Sequence, residues 1–128
     1  MRLWYTGFHT FIHLVILVSI SLLFRLDALG FLIVFLATAI VDLDHLALWF
    51  KRGIRGYLFL RTVVEFGQPR RFIFHKLYFL VVTGIFSAMF IYFNFLFPAV
   101  VFTAVFLHLF WDFFEDVIIF RMGIKHWI

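Results

Sequence analysis

Histidine and carboxylate residues recur within the long apolar runs of this 128-residue chain. His108 and Asp112 lie four positions apart and Asp42 precedes His45 by three, so each pair shares one face of a helix. Imidazole and carboxylate side chains suit zinc or another divalent first-row ion, and the chain has no cysteine to offer a thiolate instead. The spacing therefore predicts a metal site whose ligands come from more than one helix.

Acidic side chains inside a bilayer cost about 2.5 to 3.5 kcal/mol or more at mid-depth, and they are normally paired, metal-bound or functional. Five of the seven acidic residues, and five of the six histidines, lie in the apolar runs or near their ends. Clustered carboxylates would also repel one another in a low dielectric unless a cation offset their charge. We therefore expect metal ligands at His13, Asp42, His45, His75, His108 and Asp112, with His9 as a further candidate.

Four apolar stretches are long enough to carry these ligands across a bilayer, since about 20 mainly apolar residues span about 30 Å of hydrocarbon. The composition, 66% hydrophobic and 14% charged, is too apolar for a water-facing surface. We predict an all-α integral membrane protein with a single domain over residues 1–128, built as an antiparallel bundle of four transmembrane helices. The predicted helices cover about residues 3–24, 28–50, 72–93 and 97–120, and an interfacial helix over residues 57–66 connects the second to the third.

A rise of 1.5 Å per residue places the candidate ligands of all four helices in one layer, about 5 to 15 Å below one end of the bundle. Three further carboxylates in or beside this layer are candidate catalytic residues. Glu115 or Asp116 could orient a ligand histidine or act as general base. Asp44 lies about 200° around an ideal helix from Asp42, so it either supports a ligand or marks a loosened helix.

The basic residues predict the orientation of the chain. Ten of the eleven Lys and Arg residues lie on one side if both termini and the long connection share that side. Basic residues mark the cytoplasmic face, so we expect a multi-pass protein of the cell membrane with both termini in the cytoplasm. The same residues could hold anionic headgroups, which makes membrane lipid the expected partner. No nucleic-acid module is recognisable, and a homo-oligomer or a membrane complex stays open.

Taken in order, the motifs resemble the YdjM-like, LexA-regulated membrane-bound metal-dependent hydrolases over nearly the whole chain. That family has an early histidine in helix one, then PD-hydrophobic-DH, then HRG-x-TH, and finally H-x3-D. VDLDH, which ends at His45, is similar to the second element with valine in place of proline. HLFWD, which runs from His108 to Asp112, matches the last element in full.

The other two elements match in part. RRFIFH agrees with HRG-x-TH at Arg71 and His75, whereas Arg70 replaces the first histidine and Phe74 replaces the threonine. Either His13 or His9 would supply the early histidine of helix one, and the sequence leaves that choice open.

The family is similar, more distantly, to zinc-dependent phospholipase C and P1-type nucleases. The resemblance therefore implies hydrolysis of a phosphoester, such as a lipid headgroup at the cytoplasmic leaflet, with one or more zinc ions. Arg71, helped by Arg70, would then hold the phosphate. Three alternatives remain open: an ion or proton relay or transport protein, a haem-binding bundle, and a non-catalytic membrane subunit stabilised by metal.

Overall fold

The structure is a computed structural model that describes residues 2–43 and 74–119 together with Ile128. The described residues form four α-helices: α1 (Arg2–Leu23), α2 (Ala28–Val41), α3 (Leu77–Tyr92) and α4 (Leu96–Phe114). A π-helical turn, Glu115–Ile119, continues α4. No strand occurs in these two stretches, so the all-α prediction is confirmed for them. The predicted interfacial helix over residues 57–66 lies outside the described residues.

A tight turn joins α1 to α2. The N–H groups of Arg25 and Leu26 donate to the carbonyls of Leu22 and Ser21, at 3.3 and 2.9 Å. A helix C-terminus that is closed by these two hydrogen bonds requires one residue in the left-handed backbone conformation. Arg25 is that residue, with φ 51°. The carboxylate of Asp27 then accepts from the N–H of Gly30 at 2.7 Å and begins α2.

A similar turn joins α3 to α4. Asn94 has φ 59°, and the N–H of Phe95 donates to the carbonyl of Phe90 at 2.9 Å. The turn was predicted to extend to Pro98, but α4 already begins at Leu96. Proline fits there because the N–H groups of the first helical turn have no partner within the helix.

Helix α4 is the centre of the structure, because it contacts α1, α2 and α3. Its contacts with α3 are antiparallel: the hydroxyls of Ser87 and Thr103 share a hydrogen bond of 2.6 Å, and the ring of Phe106 lies over Gly84. A Cβ atom at Gly84 would lie 3.0 Å from that ring.

Two apolar clusters fill the interior. One contains Leu17, Ile20, Val34, Val100 and Ala104, and the other contains Val41, Leu80 and Leu109.

Two predicted helix ranges differ from the described helices, while the predicted boundaries themselves, at about residues 50 and 72, lie outside the described residues. The second helix was predicted to run to residue 50, but α2 ends at Val41, where the N–H of Asp42 turns back to the carbonyl of Ala39 at 3.2 Å. The third was predicted to begin at residue 72, but the extended backbone of Lys76, φ −123° and ψ 145°, delays α3 until Leu77. The chain from Asp44 to Ile73 lies outside the described residues.

These boundaries shorten the apolar helices. Among the described residues, one helix is long and apolar enough to cross a membrane, Leu96–Ile118 with 23 residues. The apolar helical segments Phe8–Leu23, Ala28–Val41 and Leu77–Tyr92 are shorter. The described helices therefore include one candidate span by length and composition, rather than the four that were predicted.

Candidate metal centre

Four side chains from three parts of the chain converge at one end of α4. Asp42, His75, His108 and Asp112 each offer a ligand atom, and these atoms all lie within 4.8 Å of one another. Nε2 of His108 lies 3.2 Å from Oδ1 of Asp42 and 3.4 Å from Oδ2 of Asp112. Nε2 of His75 lies 3.2 Å from the same Oδ2. We call these residues the four-ligand group.

Each element brings its ligand to this point in a different way. His108 and Asp112 are one turn apart on the buried face of α4, as their spacing predicted. Asp42 caps the C-terminus of α2. His75 was predicted one turn inside a helix, but it lies on the bend that precedes α3, because the extended Lys76 separates it from the helix. Its side chain is nonetheless buried against Asp112.

Helix α1 adds a second set of ligands to the same aspartate. His9, His13 and Asp112 also offer ligand atoms within 4.8 Å of one another. Nε2 of His13 lies 3.0 Å from Oδ1 of Asp112, and Nε2 of His9 lies 3.9 Å from it. We call these residues the three-ligand group. Asp112 thus turns one oxygen toward α1 and the other toward His75 and His108.

Two buried atoms of the three-ligand group lack a hydrogen-bond partner among the described residues: Nε2 of His13 and Oδ1 of Asp112. They face each other at 3.0 Å, but not in hydrogen-bonding alignment. A buried polar atom without a partner costs about 1 to 3 kcal/mol. A divalent cation would take the lone pairs of both atoms, so the residues present fit such an ion.

Glu115 contacts the three-ligand group through His9. It is 2% exposed, and it begins the π-helical turn that continues α4. Nδ1 of His9 donates to its Oε2 at 2.6 Å, and Nε1 of Trp111 donates to its Oε1 at 2.7 Å. With its proton on Nδ1, His9 turns a bare Nε2 toward Asp112, an arrangement common for metal-binding histidines. Of the two roles predicted for Glu115, this contact favours orienting His9.

The remaining candidates fall into two classes. Asp116 is half-buried and belongs to neither ligand group. Asp44, His45, Arg70 and Arg71 lie outside the described residues.

The hydrogen bond from Trp111 to Glu115 was not predicted, although the two residues are four apart on α4, a spacing that allows side-chain contact.

No family model, curated protein or solved structure matches the chain. The resemblance to the YdjM-like hydrolases stays a prediction that rests on the short motifs around Asp42, His75, His108 and Asp112. These are the four residues of the four-ligand group.

Proposed function

We propose that this chain is a membrane-embedded, metal-dependent hydrolase that cleaves a phosphoester, such as that of a lipid headgroup, at the cytoplasmic leaflet. The observation that carries the proposal is the convergence of two ligand groups on Asp112, one carboxylate buried between histidines from three parts of the chain. Burying carboxylates and imidazoles away from water costs free energy unless they are paired or bind a cation.

A membrane setting with four crossings is part of the proposal. Each described helix turns large apolar side chains outward; Leu22, Leu23 and Tyr92 are 74%, 77% and 80% exposed. Such surfaces suit lipid better than water. Helices α1, α2 and α3 pack along α4, so they would share its hydrocarbon layer if α4 crosses the membrane. The distribution of basic residues then favours cytoplasmic termini.

Zinc is the proposed ion because histidine and carboxylate ligands without thiolate suit it. When bound, a divalent cation makes water nucleophilic near neutral pH and offsets charge on a phosphoryl oxygen. The four-ligand group would hold the ion, and Glu115 would keep His9 oriented beside it. Asp42 is 42% exposed at its side chain, whereas Asp112 is 7% exposed, so substrate would approach past Asp42.

The phosphoester itself comes from the family resemblance and from the pair Arg70 and Arg71, which could bind a phosphate through charge-assisted hydrogen bonds. Two observations weigh against an ion relay and a haem-binding bundle, whereas the turnover assay below separates a hydrolase from a non-catalytic subunit. Among the described residues, the buried polar side chains beyond the site are Thr83 and Ser87, whose hydroxyls are already hydrogen-bonded, so no buried titratable group there continues an ion relay. The ring centroids of His13 and His108 are 4.0 Å apart and tilted by 66°, which leaves no width for a porphyrin between them.

Hydrolysis by the purified protein tests the proposal. The protein in detergent would be incubated with zinc and either mixed phospholipids or a chromogenic phosphodiester, and products would be measured by mass spectrometry or absorbance. We expect turnover that chelation abolishes and that Asp112→Asn lowers by more than about a hundredfold, beyond what loss of a supporting group costs. Asp27→Asn is the matched control, since it makes the same change at an exposed helix cap where asparagine serves equally well. Turnover in Asp112→Asn equal to that of the control would contradict the proposal.

A further inference from the structure

Two imidazoles at the centre of the site must share one proton. Nδ1 of His13 and Nδ1 of His108 lie 2.7 Å apart. At that distance two lone pairs would repel, as would two N–H groups, so one of the two nitrogens carries a proton and the other accepts it. A neutral imidazole has a single N–H. The ring that donates through Nδ1 therefore has a bare Nε2, and the ring that accepts has its proton on Nε2.

The two Nε2 atoms belong to different ligand groups. Nε2 of His13 faces Oδ1 of Asp112 in the three-ligand group. Nε2 of His108 faces Oδ1 of Asp42 and Oδ2 of Asp112 in the four-ligand group. Only a bare nitrogen can bind a cation. We infer that the two groups exclude each other, so that the chain holds one divalent cation at a time; this inference rests on the metal binding in the proposed function.

Each of the two states leaves the opposite nitrogen with a partner. When the cation is on His108, Nε2–H of His13 can donate to Oδ1 of Asp112 after a small rotation, since the two atoms are 3.0 Å apart. When the cation is on His13, Nε2–H of His108 donates to Oδ1 of Asp42 at 3.2 Å. The pair therefore costs the protein no unpaired donor in either state, which lets both states exist in the same fold.

Charge decides which state is filled first. The four-ligand group contains two carboxylates, Asp42 and Asp112, and the three-ligand group contains Asp112 alone. Two directly bound carboxylates neutralise a divalent cation, whereas in the three-ligand group one carboxylate binds the cation directly and Glu115 acts only through His9. The ion therefore occupies the four-ligand group. His13 is then a positioning residue, whose Nδ1 accepts the hydrogen bond that Nδ1–H of His108 donates. The three-ligand group takes the ion only when His108 cannot.

Asparagine substitutions separate these roles, because an asparagine amide reaches about as far as Nδ1 of histidine and removes Nε2. The metal-free protein would be titrated with zinc by calorimetry, and the bound zinc would be measured by elemental analysis. We expect about one equivalent of zinc per chain in the wild type and in His13→Asn. We also expect about one equivalent, bound more weakly, in His108→Asn, where the three-ligand group takes over.

Removing His9 tests whether the zinc bound by His108→Asn lies in the three-ligand group. His9→Ala combined with His108→Asn should bind none, because that double variant leaves neither group its full set of ligands. Two equivalents in the wild type, with one lost in each single asparagine variant, would refute the exclusion and leave the proposed function standing. No zinc in His108→Asn with helicity unchanged by circular dichroism would also refute it. No zinc in the wild type would refute the proposed function itself.

Discussion

Glu115 should contribute to stability through two hydrogen bonds, one from His9 and one from Trp111. Its side chain is 2% exposed and accepts from Nδ1 of His9 and Nε1 of Trp111. Replacing Glu115 with alanine removes that acceptor from two partly buried donors. The bond from the indole lies within one helix and contributes about 1.5 to 3 kcal/mol as a hydrogen bond to a charged group. The bond from His9 joins two helices and contributes about 0.6 kcal/mol, so Glu115→Ala should lower the free energy of unfolding by about 2 to 4 kcal/mol.

A double-mutant cycle isolates the contact with the indole. Trp111→Phe removes one donor and should cost about 1.5 to 3 kcal/mol in the wild-type background. In the Glu115→Ala background the indole has already lost its partner, so the same substitution should cost less by a similar amount. The measurement is unfolding by increasing SDS in mixed micelles, followed by far-ultraviolet circular dichroism rather than by tryptophan emission. Costs that add to within about 0.5 kcal/mol would refute the predicted coupling.

Three further predictions concern the helix contacts and turns, each measured by the same unfolding assay. Ser87→Ala should cost about 0.6 kcal/mol, a typical value for hydrogen bonds between membrane helices, and Thr103→Val should cost little more in that background. Gly84→Leu should destabilise the protein more than Gly84→Ala, because the ring of Phe106 can move a few tenths of an ångström for one methyl group but not for an isobutyl group. Arg25→Gly should stabilise by about 0.5 to 1 kcal/mol, because glycine adopts φ 51° without a steric penalty; a loss of stability would contradict this reading of the turn.

The sequence predicted much of the ligand layer because its signals were local. His108 and Asp112 share a face by their spacing alone, and the structure keeps that face buried on α4. Asp42 and His75 were predicted at one level by counting depth along continuous helices, and both lie in the four-ligand group, although Asp42 is at the end of α2 and His75 precedes α3.

What the sequence did not predict depends on local breaks and on contacts between helices. The helix end at Asp42 and the bend that carries His75 interrupt apolar runs that have no glycine or proline at those points. The partners of Glu115 depend on how α1 and α4 are rotated about their axes. An amphipathic helix specifies that rotation along its whole length, but α1 and α4 are apolar apart from a few polar residues, most of them near one end, so their sequences specify it weakly.

Metal content tests the central claim most directly. Wild-type protein, Asp112→Asn and the control Asp27→Asn would be purified in detergent without added metal, and transition metals would be measured by elemental analysis before and after chelation. The shared position of Asp112 in both ligand groups predicts about one equivalent in the wild type and the control, and almost none in Asp112→Asn. Equal metal content in all three proteins, or none in the wild type, would contradict the metal centre.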